Sequence, residues 1–322
     1  MKCTGFAAIT LAAVVSGAAT VPAWGDGEKI ALFTKNQTNP YFQSVRVAAE
    51  NAAKQMNATV VHYIPTKPDS IPEQMSQIED VITKHPDAIV FIPVDFKAMV
   101  PGVQKMNAAG IPVINITDRA GGGDVVTYVG SDDYNLGLST ARYLLKKMSG
   151  EGNVIILEGV RGAITNVERM KGFNKALTEF PKVKLLASQP ANYQRLQALQ
   201  VTENLLQSYP KIDGILAAND AMGMGAIEAL EGANRKALVV SINATKEGVD
   251  AVKAGKLLAT GDYNGYLQGC VGTMAAIRYL RKLPVPKEVV FPAMVIDSTN
   301  YKGHDLADTQ RSCPKWEEVV KQ

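Results

Sequence analysis

The sequence lacks the signatures of the common enzyme classes. None of its three histidines pairs with another histidine, a cysteine or a glutamate at the spacing of metal ligands. No G-x-S-x-G turn is present to carry a hydrolase nucleophile, and no G-x-x-x-x-G-K-[ST] loop is present to bind a nucleotide. The sequence therefore predicts no catalytic residue, no metal and no cofactor.

The chain also has little net charge. Its 34 Lys and Arg against 31 Asp and Glu give +3 over 322 residues, which is too little to predict a nucleic-acid or membrane-surface partner. Near the N-terminus, Lys2 precedes the apolar stretch Phe6–Val15, and small residues follow it. This pattern predicts a secretory signal peptide over residues 1–23, because the apolar run is shorter than the ~20 residues of a membrane span. We therefore expect the mature chain to be soluble and outside the cytoplasm.

Cysteine is rare. Removal of residues 1–23 leaves only Cys270 and Cys313 of the three cysteines. Two thiols in an oxidising compartment favour a disulfide, and the alternative is two separate buried thiols. Because Cys270 opens a predicted helix and Cys313 lies in the polar tail, a disulfide would attach the tail to that helix.

Apolar runs of strand length alternate with helix-length segments from Lys29 to about Val295. The runs are nearly continuous in Val, Ile, Leu and Ala, which is typical of strands covered on both faces. Such alternation predicts an α/β protein with parallel sheets. The series is too long for one open sheet and is interrupted at residues 130–135. We therefore expect two similar lobes, each a parallel sheet flanked by helices, with a ligand crevice between them.

Polar residues stand where the strands are expected to end. They are Asn36 and Asn39 after Ile30–Thr34, Asp95 after Ala88–Val94, Asp118 and Arg119 after Pro112–Thr117, Asn219 and Asp220 after Ile212–Ala218, Asn243 after Ala237–Ile242, and Asp262 and Tyr263 after Leu257–Thr260. Open parallel sheets bind ligands outside the carboxyl ends of their strands. Carboxylates and amides accept from hydroxyl groups, and arginine donates to two oxygens at once. The set therefore favours the binding of a sugar or polyol.

Each candidate also has a structural interpretation. Asp118 and Arg119 can be paired surface charges, and Asn219 can cap the following helix. Arg169 lies early on a predicted helix and can be solvated there. The aromatic candidates, which can pack in the core instead of covering a ligand, are Tyr41, Phe42 and Tyr193.

Taken together, these segments resemble the periplasmic ribose/galactose-type sugar-binding proteins, which are the solute-binding subunits of ABC importers. The resemblance runs from about Lys29 to Ser298. It is carried by the segments Thr38–Phe42, Ile116–Arg119, Val167–Phe173, Ser188–Arg195 and Ala218–Met222.

The resemblance implies a type I periplasmic binding protein fold, with lobes joined by three crossings near Ser131, Tyr263 and Ile296. It implies a first lobe of residues 24–131 plus 264–295, and a second lobe with the tail of residues 132–263 plus 296–322. It places at the ligand Asn39, Tyr41, Phe42, Asp118 and Arg119 from the first lobe, and Arg169, Tyr193 and Asn219 from the second. It further implies a periplasmic monomer whose closed form an ABC permease recognises.

Two candidate positions depart from the ribose binders. Those proteins typically carry an acid where this chain has Asn243 and a glutamine where it has Tyr263, so the resemblance implies a pocket that is not tuned to ribose. A pentose, a hexose and a linear or cyclic polyol stay open as ligands. An acidic ligand also stays open, because Arg119 and Arg169 would bring two positive charges to a pocket that has Asp118 as their counter-charge.

Other functions remain alternatives at this point. A receptor for a membrane chemosensor has the same sequence features as a transport receptor. An exported hydrolase or lyase with Asp118 or Asp262 as its base would turn its ligand over. A repressor core of the same fold would need an N-terminal helix-turn-helix, where residues 1–28 carry the signal-peptide pattern.

Overall fold

Strands and helices alternate along the first part of the chain. The computed structural model describes Met1 and residues 27–320, so the expected signal peptide lies, apart from Met1, outside the described residues. The first elements are β1 (Lys29–Phe33), α1 (Pro40–Gln55), β2 (Thr59–Tyr63), α2 (Ile71–Lys84), β3 (Ala88–Phe91), α3 (Val100–Ala108), β4 (Val113–Ile116) and β5 (Thr127–Ser131).

The same alternation continues through the middle of the chain and ends in a polar tail. The middle elements are α4 (Asp133–Lys147), β6 (Glu151–Glu158), α5 (Ile164–Thr178), β7 (Lys182–Pro190), α6 (Arg195–Ser208), β8 (Gly214–Ala217), α7 (Asp220–Gly232), β9 (Leu238–Ile242), α8 (Lys246–Lys253) and β10 (Ala259–Gly261). The last elements are α9 (Gly265–Leu280), β11 (Glu288–Phe291), β12 (Val295–Ile296) and α10 (Trp316–Val319), with 3₁₀ turns at Tyr301–His304 and Asp308–Gln310.

The strands form two six-stranded sheets. The first sheet has the order β11-β5-β4-β3-β1-β2, and the second has the order β12-β10-β9-β8-β6-β7. Every pairing is parallel except that of β12 with β10. We call the first sheet with its helices the first lobe and the second sheet with its helices the second lobe. The predicted α/β fold of two similar lobes is confirmed.

Polar residues cap the helices that begin at the carboxyl edges of the sheets. The side chains of Asn39, Asp132, Asn219 and Thr245 each accept a hydrogen bond from a backbone N–H in the first turn of their own helix. Such caps satisfy N–H groups that have no partner within the helix. They also fix where each chain segment turns from strand to helix, and thus hold polar side chains at the cleft between the lobes.

Three connections join the lobes. They are residue 132 between β5 and α4, residues 262–264 between β10 and α9, and residues 292–294 between β11 and β12. Hydrogen bonds tie them together, because Asp132 N–H donates to Phe291 O at 3.3 Å and Asp262 N–H donates to Met294 O at 2.8 Å. The three connections therefore form one hinge.

Two details of the expected division differ in the structure. Val295 pairs with Gly261 in the second sheet, so the third crossing, expected near Ile296, ends before Val295. The tail does not stay with the second lobe, because Cys313 is joined to Cys270 of α9 in the first lobe. Within residues 27–320, no helix is both long and apolar enough to cross a membrane.

Candidate ligand-binding cavity

A polar cavity lies between the lobes, where the carboxyl ends of both sheets face each other. It encloses about 270 Å³ of space not filled by protein atoms, with the solvent at its mouth included. Its lining residues are Lys35, Asn39, Tyr41, Phe42, Thr117, Asp118, Thr165, Arg169, Tyr193, Asn219, Asn243 and Tyr263. Clefts between domains with a few convergent polar groups are common ligand sites, so this cavity is the candidate site for a small molecule.

A buried lysine provides the positive charge on the side of the first lobe. Lys35 Nζ lies 3.2 Å from Asp118 Oδ2 and 3.5 Å from Asp69 Oδ1. Burial disfavours the charged ammonium, but the two carboxylates overcome this effect and hold the pKa of Lys35 above its ordinary value. The lysine is therefore a neutralised cation in the wall of the cavity.

A buried arginine provides the positive charge on the side of the second lobe. Arg169 Nε donates to Asp133 Oδ1 at 2.9 Å, and Nη1 donates to Ala218 O at 2.6 Å and to Asn243 Oδ1 at 3.3 Å. Nη2 has no partner among the described residues. Burial raises the pKa of Asp133 to about 7, against the opposing effect of Arg169. The guanidinium is thus fixed on one side and keeps a donor for a ligand on the other.

Hydroxyl groups join the two lobes across the cavity. Thr165 Oγ1 of the second lobe donates to Asp118 Oδ1 of the first at 2.9 Å, and Tyr193 Oη lies 3.2 Å from the same threonine oxygen. Asp118 therefore receives hydrogen bonds from both lobes. The hydrogen bond between Asp118 and Thr165 therefore depends on the distance between the lobes.

Aromatic rings line the cavity near the hinge. The ring centroids of Tyr41 and Tyr263 are 5.2 Å apart, and the Arg169 guanidinium lies 4.3 Å from the Tyr263 ring centroid. The Tyr263 hydroxyl can donate to Thr117 O at 3.1 Å or to Asp133 Oδ2 at 3.2 Å. Such rings present flat apolar faces of the kind that cover C–H groups of a ligand.

All the expected ligand residues except Arg119 line the cavity. Arg119 points away from it, with its guanidinium carbon 3.6 Å from the Tyr128 ring centroid and Nη2 3.0 Å from Glu288 Oε2. Arg119 follows Asp118 directly in an irregular segment, and a cation–π contact and an ion pair hold it on the outside. The structure therefore does not bring Arg119 to the cavity beside Asp118, where the sequence places it.

Three lining residues are not predicted as ligand contacts from the sequence. Lys35 directly follows the apolar run Ile30–Thr34, so it shares the strand-end signal of the other candidates, but its position alone does not distinguish it from a surface lysine. Thr117 ends another such run and has a positive φ of 65°. Thr165 lies in the first turn of α5, and no local pattern marks it as a contact of Asp118.

The mouth of the cavity is closed by contacts between loops of the two lobes. Phe96 N–H of the first lobe donates to Gly162 O of the second at 3.1 Å. Thr38 Oγ1 donates to Gln194 Oε1 at 3.1 Å. Gly162 has a φ of +91°, and a Cβ added there would lie 2.1 Å from Asp95 Oδ2. The two rims approach so closely here that only glycine fits without a shift.

Two hinged α/β lobes that enclose a polar cavity define the class of hinged solute-binding proteins. Within the described chain, no group of three or more His, Cys, Asp or Glu side chains is arranged to hold a metal ion. The chain belongs to the periplasmic binding protein domain family, whose model matches residues 30–284.

Relatives of known binding activity cover most of the chain. It is 32% identical over 284 residues to the ribose import binding protein of Haemophilus influenzae, across 86% of this chain and 96% of that protein. It is 28% identical to the xylitol-binding protein of Mycolicibacterium smegmatis, across 91% of this chain and 84% of that protein. A solved solute-binding protein of an ABC transporter from Actinobacillus succinogenes, with bound D-allose, has a TM-score of 0.81 and 35% identity, and the match covers 86% of this chain and 99% of that chain. These relatives are binding proteins, not enzymes.

Proposed function

We propose that this chain is an exported solute-binding protein that closes its lobes on a neutral monosaccharide or polyol and delivers it to an ABC importer. The ligand residues are those that line the cavity, so Lys35, Thr117 and Thr165 join the expected set and Arg119 leaves it. The relatives support this proposal by their names, which include a ribose, a xylitol and a D-allose binder.

The pairing of charges in the cavity carries the choice of a neutral ligand. Lys35 is already neutralised by Asp118 and Asp69, and the Arg169 guanidinium is held by the Asp133 carboxyl. An anionic ligand would therefore meet no unpaired cation on the side of the first lobe, and it would have to lose its hydration next to Asp118. Since Arg119 lies outside the cavity, the main reason to expect an acidic ligand is removed.

The hydroxyls of a neutral sugar suit the groups that stay available. Arg169 Nη2 is a buried donor with no partner among the described residues, and a buried polar atom without a partner costs ~1–3 kcal/mol. A ligand oxygen at that point would satisfy it. The tyrosine rings would cover the apolar face of the same ligand.

The two carboxylates that could act as the base of an enzyme have structural partners. Asp118 is held by Lys35 and Thr165, and Asp262 lies in the hinge with His304 Nδ1 3.6 Å away. Asp262 does not line the ligand cavity. The transport role therefore predicts that a bound sugar is recovered unchanged.

A matched ligand screen tests the proposal. Thermal melting of the mature protein would be followed with pentoses, hexoses, linear and cyclic polyols, and with each hexose paired with its uronic acid. A ligand that binds only the folded state stabilises it by ~2.7 kcal/mol at one hundred times its Kd. We expect one neutral stereochemical family to raise the melting temperature and the paired acids to fail. A preference for the acids, or chemical turnover of the ligand, would contradict the proposal.

A further inference from the structure

The tail after β12 runs from the second lobe back to the first, beside the hinge. We call residues 301–320 the C-terminal strap. Its first 3₁₀ turn, Tyr301–His304, packs against α8 of the second lobe, and its second turn, Asp308–Gln310, packs against α1 of the first. The strap therefore connects the lobes in addition to the three hinge connections.

Ion pairs fasten the strap to the second lobe. Asp305 lies 3.3 Å from Lys246 Nζ and 2.9 Å from Lys253 Nζ, and both lysines belong to α8. These pairs are partly exposed, so they hold the strap by contacts that can break and form again.

A covalent bond fastens the strap to the first lobe. Cys313 of the strap is joined to Cys270 of α9 in a disulfide, with a Cα–Cα distance of 5.6 Å. Tyr266 Oη donates to Arg311 O at 2.8 Å, and the Arg278 guanidinium lies 4.6 Å from the Trp316 ring. This end of the strap cannot leave the first lobe while the disulfide is intact.

The strap lies along the flank of the ligand cavity. A second cavity is lined by His304, Leu306 and Arg311 of the strap. Tyr41 and Asn243 line this second cavity and the ligand cavity as well. Because these two residues come from opposite lobes, a rotation of the lobes about the hinge changes the distance that the strap must bridge.

We propose that the C-terminal strap is a fourth, disulfide-locked connection that restricts the opening of the lobes. When the lobes separate, the disulfide keeps the strap on α9, so the contacts of Asp305 with α8 must break. Without the disulfide, either end can release. The strap thus disfavours the open form and slows the loss of a bound ligand. The part that concerns ligand release rests on the proposed function, whereas the part that concerns lobe opening does not.

The first experiment removes the disulfide. In the variant Cys270→Ala/Cys313→Ala, alanine avoids placing a hydroxyl group in the buried site of Cys270. We expect small-angle scattering without added ligand to give a larger radius of gyration than for the wild type. We also expect binding of the best sugar from the screen to weaken by about threefold to tenfold, because the apparent Kd rises as the population able to close falls. An unchanged radius of gyration would overturn the proposal.

A pair of substitutions in the strap tests it with the disulfide intact. Asp305→Asn removes the ion pairs with α8, whereas Asp308→Asn removes only the pair with Arg311 inside the strap, at 3.5 Å. We expect Asp305→Asn to increase the radius of gyration and Asp308→Asn to match the wild type. Equal behaviour of the two variants would overturn the proposal, even if the cysteine variant did not fold. Since the scattering needs no ligand, it tests the strap even if no sugar in the screen binds.

Discussion

Arg169 is the residue that organises the second-lobe side of the ligand cavity. Its side chain is buried, and its guanidinium contacts a carboxylate, a backbone carbonyl and an amide oxygen at once. Only the planar fork of arginine can make these contacts and still offer a donor to the cavity. Arg119, which follows the strand-end pattern more closely, has an ion pair and an aromatic contact on the surface instead.

A matched pair of arginine substitutions separates the two positions. Arg169→Lys keeps the positive charge beside Asp133 but loses the fork, so we expect sugar binding to weaken about tenfold or more, which is ~1.4 kcal/mol. Arg119→Lys should bind as the wild type does. Titration calorimetry with the same sugar gives both values. A loss of binding in the Arg119 variant alone would mean that the wrong arginine had been assigned.

Asp133 makes the stability depend on pH. Burial raises the pKa of Asp133 from 3.8 to about 7 in the folded chain, although Arg169 opposes the shift. The folded state therefore holds this proton more tightly than the unfolded state. The contribution of Asp133 is fully present below about pH 4 and is lost as the pH rises to about 7.

The substitution Asp133→Asn isolates that effect. We expect the free energy of unfolding of the wild type, relative to the variant, to decrease between about pH 4 and about pH 7. Urea unfolding of both proteins at several pH values measures this difference, and the other titrating groups cancel. A difference that stays constant over this range, or that increases, would show that Asp133 is ionised throughout.

The sequence predicts a site residue best where the residue lies at the carboxyl end of a strand and this place alone brings it to the cavity. Asn219 and Asn243 end apolar runs, and both line the cavity. Direction does not decide which of two consecutive side chains faces inward, so the pattern predicts the same role for Asp118 and Arg119. The role of Lys35 depends on Asp69, which is distant in the chain, and no local pattern contains that contact.

At the scale of elements, the rims of the cleft meet through loops. The loop after β3 and the loop before α5 touch where Phe96 N–H donates to Gly162 O. Asp95 is held beside Gly162, because its Oδ1 accepts from the N–H groups of Lys97 and Ala98. A side chain at residue 162 would therefore displace a fixed carboxylate or keep the rims apart.

Two glycine substitutions test this contact. Gly162 and Gly255 have φ values of +91° and +71°, but nothing lies within 4 Å of a Cβ placed at Gly255. Alanine at either position should cost ~1 kcal/mol of stability through its backbone conformation. Only Gly162→Ala should also weaken sugar binding, by hindering closure. If Gly255→Ala weakened binding equally, backbone strain rather than rim contact would be the cause.

The sequence predicts the order of the strands and helices, but it does not predict the boundaries of the last strands. The apolar runs of the central strands β3, β4 and β8 are buried along their whole length, because both faces of a parallel sheet need apolar side chains. β12 has only two residues, Val295 and Ile296, and is antiparallel to its neighbour. So short a segment has no periodicity, and the sequence therefore indicates the third crossing only as a region near Ile296.

At the scale of the molecule, the disulfide closes a covalent ring that passes through both lobes. The two cysteines are 43 positions apart, and the residues between them include β11 of the first sheet and β12 of the second. The ring therefore contains one of the hinge connections. Its closure reduces the freedom of the unfolded chain in both lobes together.

Loss of that ring should lower the stability of the whole chain. For the variant Cys270→Ala/Cys313→Ala we expect the free energy of unfolding to fall by ~2–4 kcal/mol, as for disulfides that close loops of this length. Denaturant unfolding of both proteins under non-reducing conditions measures the change. A variant as stable as the wild type would mean that the bridge has no such effect on the unfolded chain.

The path of the tail has a practical consequence for optical sensors. Glu28 forms an ion pair with Arg281, which directly follows α9, and Trp316 lies against Arg278 of α9, so both ends of residues 27–320 rest at the C-terminal end of α9. Two fluorophores attached beside these ends would move as one body, and energy transfer between them would stay nearly constant while the lobes close. A sensor that reports closure needs one fluorophore on the other lobe, for example at the exposed Lys184 of β7.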